Sequence, residues 1–175
     1  MGDADNSLGH GTPLDRLPGH VVRVKLSVRE VTSDDLSRLG PLFDAYRVFY
    51  GRTSNAYAAQ LFLNERIRRN ESKIFVAIDL ETHQIIGFTQ LYPSFSSLRL
   101  GRLWILEDLF VRGDMRRVGV ASALMERAES FARESHAVGL TLSTAFANAN
   151  ANALYLKRGW RRDEEFAYYF LWLDV

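Results

Sequence analysis

None of the 175 residues is a cysteine. That excludes a disulfide framework, a thiolate metal site and a cysteine nucleophile. No apolar run approaches the roughly 20 residues that a membrane-spanning helix needs, and the first residues show no signal-peptide pattern. Asn6 stands where an N-myristoylation motif requires Ser or Thr. There is no Gly-x-x-x-x-Gly-Lys-[Ser/Thr] loop, no Gly-x-Gly-x-x-Gly after a strand and no Gly-x-Ser-x-Gly elbow, so the common nucleotide fingerprints and the hydrolase triad are missing. The histidines, His10, His20, His83 and His136, fall in a leader, a turn and a helix end without metal spacing, and no metal is expected. An excess of one charge is also lacking. The 22 basic and 21 acidic side chains leave a net charge of +1, which supplies no broad electrostatic reason to bind nucleic acid or a membrane surface. A cytoplasmic location is the default expectation.

What is present fits one soluble enzyme domain: 47% hydrophobic and 25% charged residues, too few in all for two roomy domains. Residues 1–20 carry Gly and Pro without periodicity and read as a flexible leader; 21–175 read as the domain. Strand patterns are expected at 21–31, 73–79, 84–91, 103–111 and 140–144, with terminal strands at 160–162 and 166–173. Helical spacing is expected from Ser33 through Tyr46, with Pro41 kinking or restarting the helix, and at 55–69, 119–136 and 150–158. This order predicts an α/β fold with a mixed sheet.

The segment Arg116-Arg117-Val118-Gly119-Val120-Ala121 lies between the strand at 103–111 and the amphipathic helix at 119–136. A strand–loop–helix unit directs unpaired backbone N–H groups and the positive end of a helix dipole to one spot. Two arginines add charge, and Gly119 lets an anion approach the backbone. The unit suits a diphosphate. A second signature follows: Asn148-Ala-Asn150-Ala151-Asn-Ala-Leu154-Tyr155-Leu-Lys-Arg-Gly159-Trp160, a short helix with a glycine stop.

Together these segments resemble the two motifs of the GNAT superfamily of N-acetyltransferases, [Gln/Arg]-x-x-Gly-x-[Gly/Ala] and Asn-x-x-Ala-x-x-Leu-Tyr-x-x-x-Gly-[Phe/Trp]. The resemblance covers roughly Val24 to Val175. It implies the GNAT fold, a single mixed, mostly antiparallel sheet flanked by helices, in which the strands at 103–111 and 140–144 splay apart around acyl-CoA. It implies acetyl-CoA as cosubstrate, held by Leu109, Phe110 and Val111, by Arg116, Arg117, Val118, Gly119, Val120, Ala121 and Ser122, and by Asn148, Asn150 and Tyr155.

Transfer of acetyl to an amine poses three problems. The amine must lose a proton, and Glu107 and Asp108, acidic residues in an otherwise apolar strand, are the candidate bases. Alternation along a strand sends only one of them directly into the cleft. The leaving thiolate needs a hydrogen bond or proton, a role the resemblance gives to Tyr155. Charge on the carbonyl oxygen needs a donor, such as a backbone N–H near Phe110 or Val111. Without cysteine, direct transfer in a ternary complex is favoured over a covalent relay.

The stretch Phe88 to Ser97, followed by Leu106-Glu-Asp-Leu-Phe-Val111, resembles the small-amine branch that includes diamine and polyamine acetyltransferases. That likeness implies a small-molecule amine substrate, with Glu107 and Asp108 holding its cation and Tyr50, Tyr92 and Phe95 walling the pocket. Protein lysine acetylation, and a CoA-binding domain without turnover, are the alternatives. The resemblance also admits a homodimer through the terminal strands. Apolar residues on both faces of 166–173 call for burial by core or by partner, and the sequence leaves that choice open.

Overall fold

The computed structural model describes residues 24–173; the expected leader at 1–20 lies outside them. The elements are β1 (Leu26–Glu30), a 3-10 turn (Ser33–Asp35), α1 (Leu36–Phe49), α2 (Ala56–Arg68), β2 (Lys73–Asp79), β3 (Ile85–Ser96), β4 (Gly101–Val111), α3 (Val120–Glu134), β5 (Gly139–Leu142) and α4 (Ala149–Lys157). The strands form one sheet in chain order, antiparallel throughout except for the parallel β4–β5 pair. This is the expected α/β fold, a mixed, mostly antiparallel sheet flanked by helices. No described helix is long and apolar enough to cross a membrane.

The sheet divides the core in two. Phe75 and Ala77 of β2, with Trp104 and Leu106 of β4, pack against Val120, Leu124 and Ala128 of α3. Ile74 and Val76 of β2, with Phe88 and Phe110, pack on the other face against Leu39 and Phe43 of α1 and Leu63 of α2. Strands covered on both faces must be apolar at consecutive positions, which is why β2 reads as a near-continuous hydrophobic run. The β1–α1 junction is tied by buried Asp35, which accepts hydrogen bonds from Arg29 at 2.6 and 2.9 Å and from Arg38 at 2.7 Å.

Two features of β4 shape the site. Parallel pairing with β5 covers only Leu103–Leu106 against Gly139–Leu142. Beyond it β4 runs on to Val111 with no described strand beside its outer edge. On the inner edge Gln90 pairs with Asp108 while Leu91 pairs with Leu106. Glu107 is therefore the extra residue of a β-bulge. Thr89 Oγ1 donates to the Asp108 carbonyl oxygen at 2.9 Å beside this bulge.

Two expectations are corrected. The helix does not restart at Pro41, which lies inside the continuous α1. The missing N–H removes one hydrogen bond, but Leu39, Gly40, Leu42 and Phe43 around it are all buried, and that packing holds the helix. The terminal strands at 160–162 and 166–173 do not form among the described residues. Asp163 Oδ1 instead accepts from the N–H groups of Glu165 and Phe166, each at 2.9 Å, bending the chain where a strand would begin. The side chains of 168–173 are left 71–91% exposed.

Candidate active site

The bulge decides where the acidic pair points. Trp104 and Leu106 face α3, so unbroken alternation would send Asp108 there too. One extra residue at Glu107 resets the phase: Phe110, two residues after Asp108, faces α1 and α2. Asp108 shares that face, and Glu107 lies on it by the count from Leu106. Both carboxylates act on the phenols of Tyr46 and Tyr92. The expectation that one acid alone reaches the cleft assumed a regular strand.

Asp108 is 6% exposed. Burial pushes its carboxyl up to about 6, the Tyr46 phenol opposes the rise, and the neighbouring Glu107 charge adds to it. Glu107 is exposed at the mouth. Among the described residues neither carboxylate has an ion-pair partner within 4 Å. Arg102, on the same strand, lies instead over the rings of Phe95 and Trp104. Phe95 stands there, paired in register with Arg102 and 70% exposed, away from the acidic pair.

Aromatic side chains join the acidic pair to the opposite wall. Tyr46 stands edge-on to Phe110 and Phe88, each with centroids 5.9 Å away, and to Tyr50 at 5.1 Å. Tyr50 caps the end of α1 and interacts with Tyr155 of α4. The loop after Tyr50 is held by Asp44, which accepts from Ser54 Oγ at 2.6 Å and from the Asn55 N–H at 2.8 Å. Burial and the nearby Tyr50 hold the Tyr155 phenol above its ordinary range, so it stays protonated.

Side chains dock α4. Asn148 is its N-cap, accepting from the Ala151 N–H at 3.3 Å; Asn150 lies in the first turn. At the far end Arg158 donates to Glu129 of α3 at 3.0 and 2.7 Å and to Ser122 Oγ at 3.0 Å. Trp160 Nε1 donates to Glu129 Oε1 at 2.9 Å, and its ring lies 6.2 Å from that of Tyr155. The Gly-Trp ending therefore anchors α4 to α3, which orients Tyr155.

At the start of α3, Arg117 has φ +66° and Gly119 has φ +97°. The first bond into the helix is from the Ala123 N–H to the Gly119 carbonyl oxygen at 3.0 Å. The amides of Val120, Ala121 and Ser122 thus have no acceptor within the helix, and no side chain caps them. A Cβ on Gly119 would meet nothing within 4 Å. Open space over three free amides and a helix dipole is the donor set for a diphosphate. Arg116 turns inward: its Nε donates to the Val111 carbonyl oxygen at 3.1 Å, and its guanidinium lies over Phe49 and Phe110.

Tyr46, Tyr50, Tyr92, Glu107, Asp108 and Tyr155 therefore form one constellation at the free end of β4, beside the α3 loop. Surface depressions at Leu61, Asn64 and Arg68 on α2, and at Pro41, His83 and Arg112, lie apart from it. Among the described residues no three His, Asp or Glu side chains converge on a metal position. Tyr46 carried no separate signal in the sequence, because it filled an ordinary position on the apolar face of α1. Gln90, buried opposite Asp108, was hidden in the same way within a strand.

The family model for the acetyltransferase (GNAT) family matches residues 39–160. An uncharacterised N-acetyltransferase of Bacillus subtilis, YhfO, is 38% identical over 146 residues, 83% of this chain and 97% of its own. A probable acetyltransferase of Haemophilus influenzae is 43% identical over 91 residues, 52% of this chain and 62% of its own. The crystal structure of a probable acetyltransferase superposes with a TM-score of 0.81 at 43% identity, over 85% of this chain and 99% of the other. With the fold and these likenesses in agreement, the chain belongs to the GNAT family and is an acetyl-CoA-dependent acetyltransferase.

Proposed function

We propose that the enzyme acetylates a primary amine of a small molecule, such as a diamine or an amino acid, by direct attack in a ternary complex. The observation that carries this reading is Asp108: a buried carboxyl, pushed up to about 6, without an ion-pair partner among the described residues, on the end of β4 beyond β5. An amine arrives as an ammonium ion, with a pKa near ~10.4 for a lysine-like group. Asp108, ionised at neutral pH, takes its proton, while exposed Glu107 draws the cation to the mouth. Tyr155, protonated on the opposite wall, donates to the departing sulfur.

Acetyl-CoA supplies the thioester-bound acetyl group. The amides of Val120, Ala121 and Ser122, with Gly119 leaving room above them, would hold its diphosphate; Arg117 and Val118 form the loop beside them. The backbone of Leu109, Phe110 and Val111 would line the outer edge of β4. Asn148 serves this site by capping α4. The walls of Tyr46, Tyr50 and Tyr92 support a small acceptor, because they surround the acidic pair with aromatic rings. The reading includes a homodimer in which the exposed aromatic residues of 168–173 are covered by a second copy; light scattering that gives a monomer mass would remove that part.

The test is release of free CoA thiol from acetyl-CoA with diamines, amino acids, aminoglycosides and lysine peptides in competition. Preference for a small amine is the expected result, and preference for peptides would overturn it. Tyr155→Phe should lower kcat roughly 10- to 100-fold with acetyl-CoA affinity unchanged; an unaltered kcat would take Tyr155 out of the chemistry.

A further inference from the structure

Gln90 is fully buried, and its side-chain carbonyl oxygen has no hydrogen-bond partner among the described residues. Its amide nitrogen donates to the Tyr92 hydroxyl, which fixes the side chain. Buried acceptors are nearly always satisfied, and one left bare on a rigid strand calls for an explanation. Its surroundings supply one. Gln90 is the cross-strand partner of Asp108, so the two side chains share a face with Cβ atoms about 5 Å apart. Two acceptors at that spacing can serve a single nitrogen. After giving a proton to Asp108, a primary amine keeps two N–H groups and the lone pair that attacks.

Resting on the acetyltransferase reading above, we infer that Gln90 is a substrate-binding residue whose side-chain carbonyl accepts an N–H of the attacking nitrogen beside Asp108. The ligand it completes is a primary amine that arrives as its ammonium ion and attacks after giving a proton to Asp108. Tyr92 holds the amide so that the oxygen, and not the NH2 group, is presented. Glu107, exposed at the mouth, takes no part in this grip. Gln90 thus aligns the nitrogen once the proton has left, when attraction to Asp108 has weakened.

The experiment compares Gln90→Leu and Gln90→Glu with the wild type, using the best amine of the thiol-release panel. Gln90→Leu removes the oxygen at nearly constant volume. It should raise the amine KM about tenfold or more, as expected for a lost hydrogen bond to a charged group, with the acetyl-CoA KM unchanged within about twofold. Its melting temperature should stay level or rise, because an unsatisfied buried acceptor has gone. Gln90→Glu keeps the oxygen and should keep the amine KM within about threefold. Gln90→Met serves in place of Leu should that variant fail to fold. Amine turnover by the wild type with an unchanged amine KM in the Leu or Met variant overturns this inference alone, as does a Glu variant as impaired as the Leu one. Absence of amine turnover by the wild type overturns the reading beneath it as well.

Discussion

Tyr46 of α1 and Asp108 of β4 share one face of the sheet, the phenol acting on the carboxyl, which among the described residues has no cation within 4 Å. The phenol favours the ionised acid and so restrains the rise that burial imposes. Tyr46→Phe should let the Asp108 pKa climb further. The acid limb of the kcat/KM profile, centred near 6 in the wild type, should move to higher pH, with little loss on the alkaline plateau. A pH series on both proteins checks this; coincident limbs would mean that Tyr46 does not govern the base.

Asp108 itself sets function against stability. Its folded pKa, about 6, lies above the ordinary carboxylate value of ~3.9. The folded state therefore holds the proton longer, and the stability from this group is lost as pH rises between those values. Above pH 6 the buried charge costs on the order of 2–3 kcal/mol. Asp108→Asn should melt several degrees higher than wild type at pH 7.5, and close to it at pH 4. The same change should lower kcat/KM by about 10²- to 10⁴-fold. Parallel melts and assays test both halves.

At Gly119 the φ of +97° penalises any side chain, although the space beside it is open. Gly119→Val should cost about 1–2 kcal/mol of stability. It should also weaken acetyl-CoA binding at least about tenfold, because the isopropyl group would stand over the free amides of α3. Calorimetric titration with CoA reads this directly, and an unchanged Kd would remove the loop from the cosubstrate site.

Glu129 joins α3 to α4 through Arg158 and Trp160. Glu129→Gln removes the charge that pairs with Arg158 in a half-buried setting, and about 1–2 kcal/mol of stability should go with it. Since α4 carries Tyr155, kcat should fall while the amine KM holds. A loss of stability with kcat intact would show that Tyr155 is oriented by other contacts.

Much of this was legible in the chain because periodicity follows burial. The stripe of Leu124, Met125, Ala128 and Ala132 marked α3, and Gly119 marked where that helix begins. The bulge at Glu107 was not legible. It depends on how β4 registers against β3, which the composition of either strand alone does not encode, and it places both acids on one face. Tyr46 and Gln90 were concealed because helical or strand spacing accounts for them as packing. The error at 166–173 ran the other way: alternating aromatics read as a strand, yet a strand needs a hydrogen-bonded neighbour, and Asp163 turns the chain before one is met.

Trp160 makes the anchoring of α4 visible to light. The chain has three tryptophans: Trp104 buried and bonded to Ser135, Trp172 82% exposed, and Trp160 seated on Glu129 beside Tyr155. With Trp104 and Trp172 replaced by Phe, one tryptophan remains, where α4 is tied to α3. Because no cysteine competes, a single introduced thiol on α1 would accept a quencher at that position alone. The distance between α1 and the anchored end of α4 could then be read by fluorescence during turnover.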